Sequence, residues 1–264
     1  MDILIDKSLA GQCIRRVLQV ELKLSTKMIK HLKYTPLGIA VDGKAVTVRH
    51  ILKLGECLSL ALEDTASSPA LAPVDLPLDI LYEDEDIVVP AKPADMPTHP
   101  SHDHYTDTVA NALAFRYQKE GIPFVFRPIN RLDRNTSGLL IVARDRISAN
   151  TLSEAMRQRQ IKKEYIAVLD GIPLSESGVI ETYIRRTAES IIVRENCEEG
   201  EGGDHALTEY RVILAENGHS IVAAKPLTGR THQLRVHFSG MGCAITGDDM
   251  YGSASEHKIG RAHV

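Results

Sequence analysis

Apolar positions along this chain follow two periods, and the change between them marks its parts. From Ser8 to Leu22, Ile14, Val17, Leu18 and Leu22 recur at helical spacing, with Ser8 placed to cap the start. Ser25 precedes a second, short helix that holds Met28, Ile29 and Leu32 and carries Lys27, Lys30 and Lys33. After Pro36 and Gly38 the period falls to two. Ile39-Ala40-Val41 and Val46-Thr47-Val48 flank Asp42-Gly43, which predicts a hairpin, and Leu58 to Leu62 gives a further strand. Residues 64–77 break both patterns and, rich in Ala, Ser and Pro, read as a linker between a domain of residues 1–63 and a second one.

The second domain, residues 78–258, opens with strands at 78–82 and 87–89. Pro90, Pro93, Pro97 and Pro100 then predict an irregular stretch. An amphipathic helix follows over 107–118, a buried strand over 139–143 and a helix over 145–158. Strands are expected at 165–169, 178–184, 206–214 and 219–225. Thr231 to Met241 reads as a helix with Leu234, Phe238 and Met241 on one face. The whole predicts an α+β fold with a mixed, largely antiparallel sheet, preceded by a small N-terminal α/β domain. No internal repeat is found.

Composition changes this picture little. The chain has 264 residues, 43% hydrophobic and 25% charged, without Trp, which is ordinary for a globular protein. Cys13, Cys57, Cys197 and Cys243 are far apart, so neither a zinc site nor a redox pair is expected. His99, His232 and His237 are separated and lack an acidic partner pattern, so no metal is expected there either. Met1 to Asp6 is too short and acidic for a signal peptide, and no apolar run is long enough to span a membrane. A cytoplasmic, monomeric protein is the expectation.

Charge is more informative where it is local. The net charge is −4, yet residues 1–62 hold ten Lys and Arg against five Asp and Glu. Residues 63–89 carry eight acids and 195–204 five more, with no base in either stretch; setting these acids aside leaves +9. A polyanion senses the local field, because salt screens charge beyond about 10 Å.

The chemistry concentrates in four segments. Arg127 to Leu140 contains Arg131-Leu132-Asp133-Arg134, then Thr136-Ser137-Gly138 leading into the apolar strand. Upstream lie Lys92-Pro93-Ala94 and Met96-Pro97-Thr98-His99-Pro100. Downstream lie Lys163-Glu164-Tyr165-Ile166-Ala167 and Thr228-Gly229-Arg230-Thr231-His232-Gln233-Leu234-Arg235-Val236-His237, with Gly247-Asp248 and Tyr251-Gly252 behind them. In this order, across residues 78–252, they resemble the RluA-type pseudouridine synthases, and the helix pair with its small ribbon resembles the S-four-type RNA-binding domain found in a subset of that family.

The resemblance implies an enzyme that isomerises uridine in structured RNA, ribosomal ahead of transfer RNA, with no cofactor. It implies Asp133 as the essential carboxylate, Arg235 as the arginine that pairs with it, and Tyr165 as the tyrosine that contacts the base. It gives Leu234 as a wall of the base pocket and Arg131 as the side chain filling the gap left by a flipped nucleotide. Lys163 is a candidate for phosphate or is simply solvated, and Arg230 is expected among the substrate-binding residues. His232 and Gln233 are expected to brace the loop that holds Arg235. The competing reading is an RNA-binding relative without activity, against which intact Asp133, Tyr165 and Arg235 count.

The chain departs from the family pattern in places. Asn130 stands where His is frequent, Asp95 where Gly is usual, and Pro90-Ala91 where the strand normally continues. At the end, residues 259–264 can be encoded by ATC-GGA-AGA-GCA-CAC-GTC, which is part of a common sequencing adapter. Those six residues are therefore expected to be foreign, and the sheet to lack its closing strand and expose an unpaired edge.

Overall fold

The computed structural model describes residues 1–64, 67–68, 70–252 and 261–263. The first sixty residues build β1 (Asp2–Leu4), α1 (Ile14–Arg16), α2 (Thr26–Tyr34), β2 (Ile39–Val41), β3 (Lys44–Ala45) and β4 (Cys57–Leu60). The strands form their own sheet in the order β1-β4-β2-β3. Ile14, Leu18, Leu32 and Leu58 are among the residues of a core confined to this segment.

The first helix is shorter than its apolar spacing predicts. Asp6 accepts hydrogen bonds from the amides of Ser8 and Leu9, which closes a turn, and Gly11 takes φ +81°. Only then does the helix start, at Ile14, and it ends in a π-turn over Val17–Glu21. Ser25 caps α2 by accepting from the Met28 amide. Asp42 and Gly43 both have positive φ, as a two-residue hairpin turn needs, although the second strand ends at Ala45 rather than Val48.

Beyond the linker come β5 (Asp79–Glu83), β6 (Ile87–Lys92), α3 (Val109–Lys119), β7 (Arg127–Pro128), β8 (Thr136–Leu139), β9 (Val142–Ala143), α4 (Arg146–Arg157) and β10 (Tyr165–Asp170). The chain continues through β11 (Ser177–Arg186), β12 (Arg194–Cys197), β13 (Asp204–Glu216), β14 (His219–Pro226), α5 (Gln233–Gly240), β15 (Ala244–Ile245) and β16 (Arg261–His263). One large sheet runs β12-β11-β13-β14-β10-β16-β8-β6-β9-β7, with β5 on β6 and β15 on β10. Every pair is antiparallel except β16 with β8, so the fold is α+β with a mixed, mostly antiparallel sheet.

Several elements differ from the sequence reading. β6 continues through Pro90 to Lys92. The proline is tolerated because the β5 register shifts beside it, between Ile80 and Tyr82. The apolar run 139–143 splits into two strand ends, β8 and β9. The acidic 195–204 stretch includes most of β12, which pairs with β11. The last helix begins at Gln233 because His232 adopts the left-handed conformation, φ +59°.

At the edge expected to be open, the backbone of Arg261–His263 lies between β8 and β10. Unpaired amides and carbonyls on two facing strands are a template for any extended segment that reaches them. Residues 259, 260 and 264, expected with these to be foreign, lie outside the described residues.

Side-chain bonds join the N-terminal unit and the start of the linker to the rest. The Asn150 side chain on α4 accepts from the Ser25 amide and donates to the Lys23 carbonyl. Asp64 receives both Arg127 and Arg146.

Candidate active site

The loop between β7 and β8 carries Asp133, and hydrogen bonds hold it on both flanks. The Asn130 side chain donates to the Leu139 carbonyl and accepts from the Ile141 amide, tying the loop to the strands that follow. Thr98 donates its hydroxyl to the Leu132 carbonyl, and both residues are buried. On the other flank the ammonium of Lys92, 1% exposed, donates to the carbonyls of Pro93, Met96 and Arg134. Burial depresses the Lys92 pKa to about 8, against the opposing pull of Asp133 and Asp95. Asp95 itself sits at φ +63°, a conformation that Gly adopts without strain, and its carboxylate meets Arg134 at 3.0 Å.

Asp133 opens into a cavity of about 510 Å³. The other residues expected to bear on chemistry, Tyr165 at the start of β10 and Arg235 on α5, line the same cavity. So do Arg131, Leu234, Lys163 and Arg230, the residues expected at the substrate. The cavity therefore draws on both halves of the sheet and on the β14–α5 loop.

Arg235 has a closer partner than the one expected. Its Nε and Nη2 bind the two carboxylate oxygens of Asp248 at 2.6 and 2.8 Å, whereas Nη1 lies 3.8 Å from Asp133. The Asp248 side chain is fully buried and also accepts from the amides of Met250 and Tyr251. Burial pulls the Arg235 pKa down, but the hydrogen bond and charge of Asp248, and then Asp133, outweigh it and raise the net value. Likewise burial would raise the Asp248 pKa, and Arg235 more than reverses this. The fork geometry fixes the guanidinium plane.

Around this pair, Tyr251 places its ring 4.9 Å from the guanidinium and its hydroxyl 2.8 Å from His232 Nδ1. Gln233 accepts from the Thr228 hydroxyl and the Arg230 amide while donating to Leu207 and Thr208. His232 and Gln233 thus brace the ends of the loop that delivers Arg235. His237, completely buried between Thr182 and Thr208, has its pKa pushed down to about 4 by burial and is neutral. Among the described residues no group of His, Cys, Asp and Glu has the arrangement to hold a metal ion.

Tyr165 is perturbed as well. Burial raises its pKa, Asp133 adds to the effect, and the value reaches about 12. The cavity thus sets a carboxylate, a phenol that stays protonated and a locked guanidinium side by side.

Comparison with known proteins shows the family. The family profile for RNA pseudouridylate synthases matches residues 86–240, from the start of β6 to the end of α5. The chain belongs to that family. The synthase is 34% identical over 241 residues to an uncharacterized RNA pseudouridine synthase, YjbO, of Bacillus subtilis, covering 91% of this chain and 84% of the relative. It is 35% identical over 216 residues to the ribosomal large subunit pseudouridine synthase D of Pseudomonas aeruginosa, covering 81% and 65%. The solved structure of human RNA pseudouridylate synthase domain containing 1 superposes with a TM-score of 0.57 at 31% identity, over 71% of this synthase and 76% of that chain. The synthase is thus an isomerase that acts on RNA.

Sequence reasoning quoted Lys92 and Asp248 within motifs but gave them no role. A polar side chain buried among apolar strands is the signal that marks both, and burial is visible only once the fold is built.

Proposed function

We propose that this synthase isomerises a uridine in structured ribosomal RNA, with Asp133 acting on the ribose. The observation that carries the reading is the single cavity shared by Asp133, Tyr165 and Arg235, with the guanidinium 3.8 Å from the carboxylate. Pseudouridine forms when the bond from uracil N1 to ribose C1′ breaks, the base turns, and C1′ joins C5. The C5 proton leaves and N1 gains one, so no electrons are exchanged with a cofactor. A carboxylate suits the sugar step, either by attack on C1′ or by removal of the 2′ proton. Arg235 orients that carboxylate. Tyr165, a phenol at neutral pH, hydrogen-bonds the base and takes the C5 proton only as it passes its own to Asp133.

The target base must leave its stack to enter, at a cost of a few kcal/mol. Leu234 then packs against it, Arg131 fills the gap in the RNA, and Lys163 and Arg230 meet phosphate. The N-terminal unit serves as an RNA-binding domain of the S-four type. What supports this is its exposed basic helix, with Lys27, Lys30 and Lys33 all facing solvent. The enzyme acts as a monomer in the cytoplasm, whose reducing conditions its free thiols fit. The names of the relatives favour ribosomal over transfer RNA.

Mapping pseudouridine in ribosomal and transfer RNA, from cells with and without the gene, tests the reading. A site in ribosomal RNA should disappear with the gene. Loss confined to transfer RNA would contradict the substrate, and no loss anywhere would contradict the activity in cells.

A further inference from the structure

A second cavity of about 580 Å³ adjoins the first, and the two share Met156, Lys163, Pro226, Thr228, Gly229 and Arg230. Its walls are the connection that leaves α4 and the end of β14. Six cations line it, Arg157, Arg159, Lys162, Lys163, Lys225 and Arg230, against a single acid, Glu209. Three of the six have carboxylate partners: Arg157 with Glu154, Lys225 with Glu164 at 3.5 Å and Arg230 with Asp204 at 3.7 Å. Among the described residues, Arg159, Lys162 and Lys163 have none.

Lys163 stands apart from a solvated surface lysine. It is half-buried, burial lowers its pKa, and it lies on the wall common to both cavities. A methyl added at Gly229 would lie 3.5 Å from its ammonium, an ordinary contact, which places the ammonium beside the Gly229 backbone. A cation held away from water without a counter-charge favours an anion beside it.

Resting on the reading of the Asp133 cavity as the uridine site, the geometry points to the second cavity as the seat of the adjoining nucleotide, with Lys163 on the phosphate that links the two. The volume lies within the roughly 300–1,000 Å³ of small-ligand sites. Among the described residues no aromatic side chain lines it, so none offers a stacking platform there. Its cations meet the phosphodiester backbone and leave the neighbouring base unread. The site therefore holds the strand in register next to the reacting nucleotide and tolerates any flanking sequence.

The test is binding of a fluorescein-labelled uridine heptamer to the full chain, followed by anisotropy over a range of salt. Removing one cation that neutralises a phosphate of a single strand should make the slope of log affinity against log salt shallower by about 0.7. Lys163→Gln should flatten the slope by about that amount, and Lys163→Arg should restore it. The pair Arg159→Gln and Lys162→Gln, exposed residues that line only the second cavity, should flatten it by between one and two such steps. Lys119→Gln on α3, outside both cavities, sets the baseline. Slopes equal to wild type in the Lys163 and Arg159/Lys162 variants would overturn the inference, and so would failure of the wild type to bind the heptamer. Turnover by Asp133→Asn judges the first cavity separately: an active variant would remove the uridine-site reading, while the slopes would still report whether the second cavity binds backbone.

Discussion

Arg235 reaches Asp133 only at 3.8 Å, while Asp248 grips it with two short bonds. The buried acid therefore acts through Arg235, as a positioning residue. Replacing it by Asn keeps an oxygen for the Met250 and Tyr251 amides but removes the charge that matches the guanidinium. Breaking one side of a buried pair typically costs about 3–5 kcal/mol. Asp248→Asn should lower the melting temperature and cut kcat by roughly a hundredfold while KM for RNA moves little. A loss confined to KM would contradict the positioning role. Lys92 gives a second, pH-dependent case. Its native pKa of about 8 lies below its ordinary 10.5. Between those values the native state sheds the proton first, so the Lys92 contribution to stability rises with pH; below 8 the burial cost is present in full. Lys92→Met leaves three carbonyls without their donor and should destabilise by about 2–4 kcal/mol at pH 7. In urea unfolding at pH 7.5 and 9.5, wild type should gain stability relative to the variant, and parallel responses would contradict the assignment.

At the scale of elements, legibility followed the apolar period. α3 and α4 lie where their spacing puts them, each with a capping side chain, Thr108 or Asp145, just ahead. β10, β11, β13 and β14 likewise follow alternation along the chain. What misled was local chemistry that overrides a period. Asp6 turned the chain ahead of α1, a register shift let β6 carry Pro90, and His232 in the left-handed region delayed α5. β12 was hidden by its acids, since an edge strand exposed on one face needs little apolar character. The motifs named the seven cavity residues because their order along the chain is distinctive. The Arg235–Asp248 bond was not legible, since it depends on how the turn after β15 folds back against α5. α2 supports a prediction of its own. Its three exposed lysines make Lys27→Gln/Lys30→Gln/Lys33→Gln a direct probe of the N-terminal unit. If this face meets phosphates, RNA affinity should fall and its salt dependence should become shallower, with kcat retained. An unchanged slope would take the RNA-binding role away from α2.

The whole molecule joins two sheets with separate cores. The smaller brings a basic helix, and the larger brings one cavity in which the β7–β8 loop, β10 and α5 converge. A formal charge of −4 is compatible with an RNA substrate because 13 of the 35 acids are concentrated at 63–89 and 195–204, while cations line the cavities. Binding and chemistry should then separate. Under the proposed function, affinity would rest on cations spread over both units and turnover on one carboxylate. The most direct test is pseudouridine formation and RNA affinity measured side by side for Asp133→Asn. The account predicts turnover lower by at least about a thousandfold and affinity within about tenfold of wild type, since phosphate contacts dominate binding. Turnover near wild type would contradict it.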